Sequence, residues 1–235
     1  MKYLSSFSNL ATLTISLISV QSATAATLTL DFTKLSGLTG GSPGQTAVFR
    51  AEIPALNDIT SMVINDNSQG QGGSEGQVSG FDLDAIKLSS IFTNNAADVN
   101  SIAGLDVFDF SSNGTVLTLG TQRPPEASQL FGNIGGVINN LVATLENFDA
   151  NSTTDPKKIF GFVTLGDDGK IAFKLKSPLS ITTPLYLYFG EVGDNGEVAT
   201  VEVMGKHIPE PSSVAALSLV GIFLGVTRSK KNKAE

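Results

Sequence analysis

Apolar residues follow two different rules along this chain. Between residues 27 and 207 they alternate with polar ones in short runs, the period of a half-buried β-strand. Leu28, Leu30 and Phe32 alternate within Thr27 to Thr33. Ala47 to Ile53, Ile59 to Ile64 and Phe81 to Leu88 are further runs, bounded by Pro54, by Asn65-Asp66-Asn67 and by a glycine-rich loop. Three later pairs of runs each flank a turn signal. Leu105 to Phe110 and Thr115 to Leu119 flank Ser111-Ser112-Asn113-Gly114. Ile159 to Leu165 and Ile171 to Leu175 flank Gly166-Asp167-Asp168-Gly169. Pro184 to Val192 and Glu197 to Val203 flank Gly193-Asp194-Asn195-Gly196. Gly, Asn and Asp tolerate the left-handed backbone of tight turns, so each pair predicts a β-hairpin. Short strands with such turns predict an all-β body, an antiparallel β-sandwich or jelly roll, over residues 27–208. Ser128 to Phe148 is ambiguous. Its apolar residues are spaced roughly as a helix face, while Gly132, Gly135 and Gly136 oppose a helix. It predicts a loop, then either a short helix or a strand from Leu141 to Phe148.

At the two ends the apolar runs lose their alternation. Residues 1–26 begin with Lys2, continue through Leu10 to Val20, and reach the small residues Ala23, Ala25 and Ala26. This pattern predicts a signal peptide, exported by the Sec machinery and cut by signal peptidase near Ala25 or Ala26. Residues 209–235 hold Pro209-Glu210-Pro211, an uncharged apolar run from Val214 to Val226, and the cations Arg228, Lys230, Lys231 and Lys233. A helix over that run spans about 20 Å, short of the roughly 30 Å hydrocarbon core, so it predicts a marginal transmembrane anchor. The basic cluster holds its far end in the cytoplasm. A cleaved leader then places the body outside the inner membrane.

Pro209-Glu210-Pro211, the short apolar segment and Arg228-Ser229-Lys230-Lys231 together resemble a PEP-CTERM sorting signal. The Pro-Glu-Pro-Ser-Ser wording is similar to the cyanobacterial form. The resemblance covers residues 208–235 and concerns trafficking. It implies recognition of Pro209 to Pro211 by a membrane-embedded exosortase, cleavage nearby, and loss of the helix and basic tail. It further implies a cell that makes exopolysaccharide, a transient stay in the inner membrane, and a final place at the cell surface or outside the cell.

Composition narrows the activity of the body. The chain carries 15 basic and 22 acidic residues, net −7, and residues 27–208 hold 10 basic against 20 acidic, net −10. Such a surface repels phosphate backbones, which argues against nucleic acid as a partner. Zero Cys removes disulfides and thiolate sites, and the lone His207, beside the sorting motif, is a poor basis for a catalytic triad. No catalytic residues stand out, and no cofactor is required. In Ser79-Gly80-Phe81-Asp82-Leu83-Asp84 the two carboxylates Asp82 and Asp84 fall on one strand face. Two readings stay open there, calcium ligands or a solvated strand face, the second being the commoner outcome. Asp167-Asp168-Gly169 and Asp194-Asn195-Gly196 read as turns, and Gly70 to Gly76 as a flexible surface loop. Tyr186 and Tyr188 share a strand face suited to cross-strand aromatic packing. These readings lead to a non-enzymatic, exported, exosortase-processed protein with a structural or adhesive role linked to exopolysaccharide. A calcium-stabilised carbohydrate-binding module is the alternative, and a divergent glycoside hydrolase ranks third.

Overall fold

The computed structural model describes residues 24–151 and 161–207. The sorting motif Pro209 to Pro211, the apolar run, the basic cluster Arg228, Lys230, Lys231 and Lys233, and most of the leader, including Ala23, lie outside the described residues. Within them the protein is all-β, without an α-helix. Twelve strands are β1 (Thr24–Leu30), β2 (Phe32–Lys34), β3 (Thr46–Ile53), β4 (Asn57–Asp66), β5 (Asp82–Ser89), β6 (Thr115–Thr118), β7 (Asn133–Ile134), β8 (Val137–Ile138), β9 (Val163–Thr164), β10 (Lys170–Leu179), β11 (Leu185–Val192) and β12 (Ala199–His207). Ten of them form two five-stranded sheets, in the orders β1-β12-β4-β10-β6 and β2-β3-β11-β5-β9. Every ladder between these strands is antiparallel.

Alternation along each strand explains why two sheets share one core. On β10, Ile171, Phe173 and Leu175 are buried while Lys170, Lys174 and Lys176 are exposed. On β12, Val201 and Val203 turn inward between less buried Glu202 and Met204. From the facing sheet come Ala51 and Ile53 of β3, Leu83, Ile86 and Leu88 of β5, and Leu187 and Phe189 of β11, all in the same apolar cluster. This arrangement is consistent with the expected β-sandwich. The second sheet is covered on its other face too. Ala85, Val48 and Tyr188 pack there against Ala96, Val99 and Phe148. That second layer is why β5 is buried along nearly its whole length.

The strands fall close to where alternation puts them, but their partners differ from expectation. The run Thr27 to Thr33 is split at Asp31: β1 joins one sheet and β2 the other, with Leu28, Leu30 and Phe32 still facing one core. None of the three predicted hairpins pairs its own strands. β9 and β10 lie in different sheets, as do β11 and β12, so their turns carry the chain across the core. Phe108 and β6 both pair with β10, along the same edge, and Ser111 to Gly114 is an excursion between them. Leu141 to Phe148 forms neither helix nor strand. It runs in short turns that bury Ala143, Leu145 and Phe148. The glycines that oppose a helix make a hairpin instead: Gly135 and Gly136, at φ +59° and +83°, link β7 to β8 as a two-residue turn requires.

Phe189 is the hub of the aromatic core. Its ring contacts Phe32, Phe49 and Phe81 at centroid distances of 5.3, 5.4 and 6.2 Å. Phe189→Ala is expected to cost about 3–5 kcal/mol, the range for a buried Phe truncated where neighbours cannot collapse. Urea denaturation checks this, with an unchanged slope and a lower midpoint.

Candidate functional site

The two sheet-crossing turns and the glycine-rich loop meet at one end of the body. Asp66, at the end of β4, is the common acceptor. Its Oδ1 accepts from the Phe81 backbone N–H at 2.9 Å and from the Ser68 hydroxyl at 2.6 Å. Its Oδ2 accepts from the Asp168 N–H at 3.0 Å and the Ser68 N–H at 3.3 Å. Ser68 in turn accepts from the Val198 N–H at 3.0 Å, just before β12. The turns themselves have the expected backbone, with Asp168 at φ +64° and Asp194 at φ +50°.

The loop from Gly70 to Gly76 is not a loose surface segment. Gly72, at φ +69°, lies so close to Gly196 that a Cβ would overlap the Gly196 carbonyl. A Cβ at Gly73 would enter the Glu197 carboxyl. The loop is therefore a lid of bare backbone over Glu197. Arg123 fastens it by donating from Nη1 to the Gly72 carbonyl.

Beneath this loop lies a group of buried carboxyls, of which the sequence pattern singles out Asp82 alone. Glu197 has 0% of its side chain exposed, and neither of its carboxyl oxygens has a hydrogen-bond partner. Glu191, in the apolar run of β11, is buried, with Oε2 accepting from the Asp194 N–H at 2.9 Å. Asp82 is buried and accepts from the Thr164 hydroxyl. Arg123 is the cation at this site, with Nε 3.2 Å from Asp167 and Nη2 3.6 Å from Glu197. Burial, with only Arg123 and, toward Glu191, Lys34 as cations to offset it, drives Asp82, Glu191, Glu197 and Asp167 toward their neutral forms. Burial, reinforced by the charges of Asp82 and Glu191, pushes Glu197 up to about 11. Burial pushes Glu191 up to about 7 and raises Asp82 well above the ordinary carboxylate range. A proton held on Glu191 or Glu197 supplies the donor their oxygens otherwise lack.

Asp82 and Asp84 are both buried, so neither lies on a solvated strand face. Their surroundings differ. Asp82 feels Glu191, Arg123 and Asp66, whereas Asp84 accepts from the Ala150 N–H at 3.1 Å, with Thr46 and Asp149 beside it. Its Oδ2 has no hydrogen-bond partner, and burial pushes Asp84 up to about 7. Among the described residues, no group of three or more His, Asp or Glu is disposed to hold a metal ion. No helix among them is long and apolar enough to cross a membrane. Ala25 and Ala26, at the predicted leader cut, form part of β1. His207 ends β12, paired with Thr24.

On the outer face of the second sheet, Tyr188 is fully buried, its hydroxyl donating to the Ile91 carbonyl at 2.8 Å and accepting from the Thr93 N–H at 2.9 Å. Tyr186 meets Phe92 edge to face, and the Arg50 guanidinium lies 4.0 Å from the Phe92 ring centre. Phe92 was not singled out in the sequence because it falls outside any strand run.

No known protein family, no characterised protein and no solved structure matches this chain.

The raised carboxyls set the pH response. A group whose folded pKa lies above its unfolded value favours the folded state at low pH. For Asp84 and Glu191 that contribution is fully present below about pH 4 and is lost as pH rises through about 7, at about 1.4 kcal/mol per pH unit for each group. Thermal unfolding is expected to show a higher Tm at pH 5 than at pH 8, and Asp84→Asn to reduce the difference while Glu191 maintains part of it. Gly72→Ala is expected to cost about 2 kcal/mol or more, from positive φ combined with backbone overlap. Chemical denaturation of the variant measures it.

Proposed function

We propose that this is an exported protein of the cell surface or extracellular matrix, processed at its C-terminus by an exosortase and serving a structural or adhesive role linked to exopolysaccharide. The observation that carries the reading is the tail: Pro209-Glu210-Pro211, the apolar run Val214 to Val226, and Arg228, Lys230, Lys231 and Lys233, preceded by a leader with Ala23, Ala25 and Ala26 at its end. The body's contribution is a β-sandwich of net charge −10, with 10 basic and 20 acidic residues over 27–208, suited to solubility and to a hydrated anionic or cation-bridged matrix. In this reading the short apolar segment holds the chain in the inner membrane only until it is cut, and the body acts without catalysis.

A second reading is prompted by the buried acids Asp82, Glu191 and Glu197, whose charges act on one another, although among the described residues no group of three is disposed as it stands to hold a metal ion. In it the body is a calcium-stabilised carbohydrate-binding module. A divalent cation would neutralise these carboxylates and would have to displace their protons and Arg123.

Mass spectrometry of the mature C-terminus, from cells and from medium, tests the first reading. Loss of everything beyond Pro209 to Pro211 is the expected result. An intact tail ending at Glu235 in both fractions overturns it. The second reading predicts a Tm that rises with added calcium in the wild type and stays level in Asp82→Asn.

A further inference from the structure

The glycine-rich loop seals the acid pocket but is lightly held. From Gly70 to Glu75 it carries no apolar side chain that could anchor it in the core. Its attachments are hydrogen bonds. The Gln71 N–H donates to the Ser68 carbonyl at 2.8 Å, the Gly73 N–H to the Asn195 carbonyl at 3.3 Å, and the Gly76 N–H to the Arg123 carbonyl at 2.8 Å. The Arg123 guanidinium donates back to the Gly72 carbonyl. A segment fixed in this way opens more readily than a core strand. Yet a Cβ at Gly73 would overlap the Glu197 carboxyl, so backbone, and not water, lies against that acid while the loop is closed.

Under the loop, Glu191 and Glu197 face each other within hydrogen-bond reach. Glu191 Oε1 and both oxygens of Glu197 receive no donor from elsewhere in the protein. Two carboxylates cannot bond to one another, because each only accepts. One proton between them turns two repelling groups into a donor and an acceptor. The neighbouring charges do not replace it. Arg123 is the cation beside Glu197, and it is shared with Asp167 and with the Gly72 carbonyl. Lys34 of β2 acts on Glu191, but it is paired with Asp194. Asp82 of β5 adds a further acid, with Asp66 acting on it in turn. Glu75, on the loop itself, is exposed.

We infer that the Gly70 to Gly76 loop is a proton-latched lid, closed while a proton lies between Glu191 and Glu197 and opening as that proton passes to water. Opening admits water to Glu197, which then ionises as an exposed carboxyl does. Closure returns it to a site that holds its proton far above neutral pH, because burial and the charges of Asp82 and Glu191 oppose ionisation there. One proton leaves with each opening, so the opening equilibrium constant rises about tenfold for each pH unit across this range. Low pH keeps the lid shut and high pH opens it. Glu191 and Asp82 stay in β11 and β5, so the movement is confined to the loop and the turn before β12. The lid thus ties the exposure of the acid pocket to the pH of the medium.

Amide hydrogen exchange on the full-length chain at pH 7, 8 and 9 tests this. Each rate is compared with that of an unstructured peptide at the same pH, so that opening alone is read. The expected result is a protection at Gly73 that falls about tenfold per pH unit and stays well below that of Leu187 to Phe189 in β11. Glu197→Gln is expected to flatten the fall, because its amide N–H donates to Glu191 at every pH. Protection at Gly73 that does not change with pH overturns the inference in the wild type alone, whether or not the variant folds. Protection equal to that of β11 also overturns it, because the loop then opens only with the whole body. An undiminished fall in folded Glu197→Gln overturns it too, since the proton then belongs to another group.

Discussion

The carboxylate of Asp66 is the interaction on which the connectivity of this protein depends. The chain passes between its two sheets repeatedly, and each passage leaves backbone N–H groups outside any ladder. Buried donors of that kind must find an acceptor. Asp66 accepts from the Phe81 N–H, where the chain enters β5, and from the Asp168 N–H, where it turns from β9 into β10. Through Ser68 the same group reaches Val198, at the turn from β11 into β12. Three crossings of the core are thus referred to one side chain. Without it the turn residues would still reverse the chain, and main-chain bonds such as Asp66 N–H to the Gly169 carbonyl and Asn67 N–H to the Val198 carbonyl would remain, but the side chain shared by the three reversals would be lost.

Around that acceptor the protein tolerates an unusual burden of buried acid. A buried carboxylate is costly unless paired, and Arg123 pairs with Asp167 and Glu197 alone. Glu191 and Asp82 hold single hydrogen bonds, and Glu197 holds none. The glycine-rich loop adds to the burden by excluding water from Glu197. Replacing buried acids of this kind by well-packed apolar residues of similar volume is often neutral or stabilising. Burial drives these carboxyls toward their neutral forms.

Strand positions were legible in the sequence because a half-buried strand must alternate. The period of Leu28, Leu30 and Phe32 even survives the switch of sheets at Asp31, since both halves face one core. Turn positions were legible because Asp168, Asp194, Gly135 and Gly136 need positive φ. Pairing was not. A turn motif states where the chain reverses, but whether the next strand lies alongside or across the core is decided by packing between sheets. The buried acids were half legible. Glu191 interrupts the apolar run Leu185 to Val192, a charge where none belongs on a buried strand. Asp82 and Asp84 stood out for a different reason, their spacing, which says nothing of the distinct neighbours each one meets. Arg123 and Glu197 lie outside strands, and only the folding of the loop over them gives them a shared place.

The order of the strands has a consequence for how these molecules behave when crowded. The outermost strands of the two sheets are β6, β2, β9 and β1. Three of these are stubs of four, three and two residues, too short to template a ladder with another chain. The fourth, β1, runs for seven residues, with Thr27 and Thr29 outward between Leu28 and Leu30. Among the described residues, three of the four outermost strands are therefore too short to template edge-to-edge pairing, and β1 is the longest of the four.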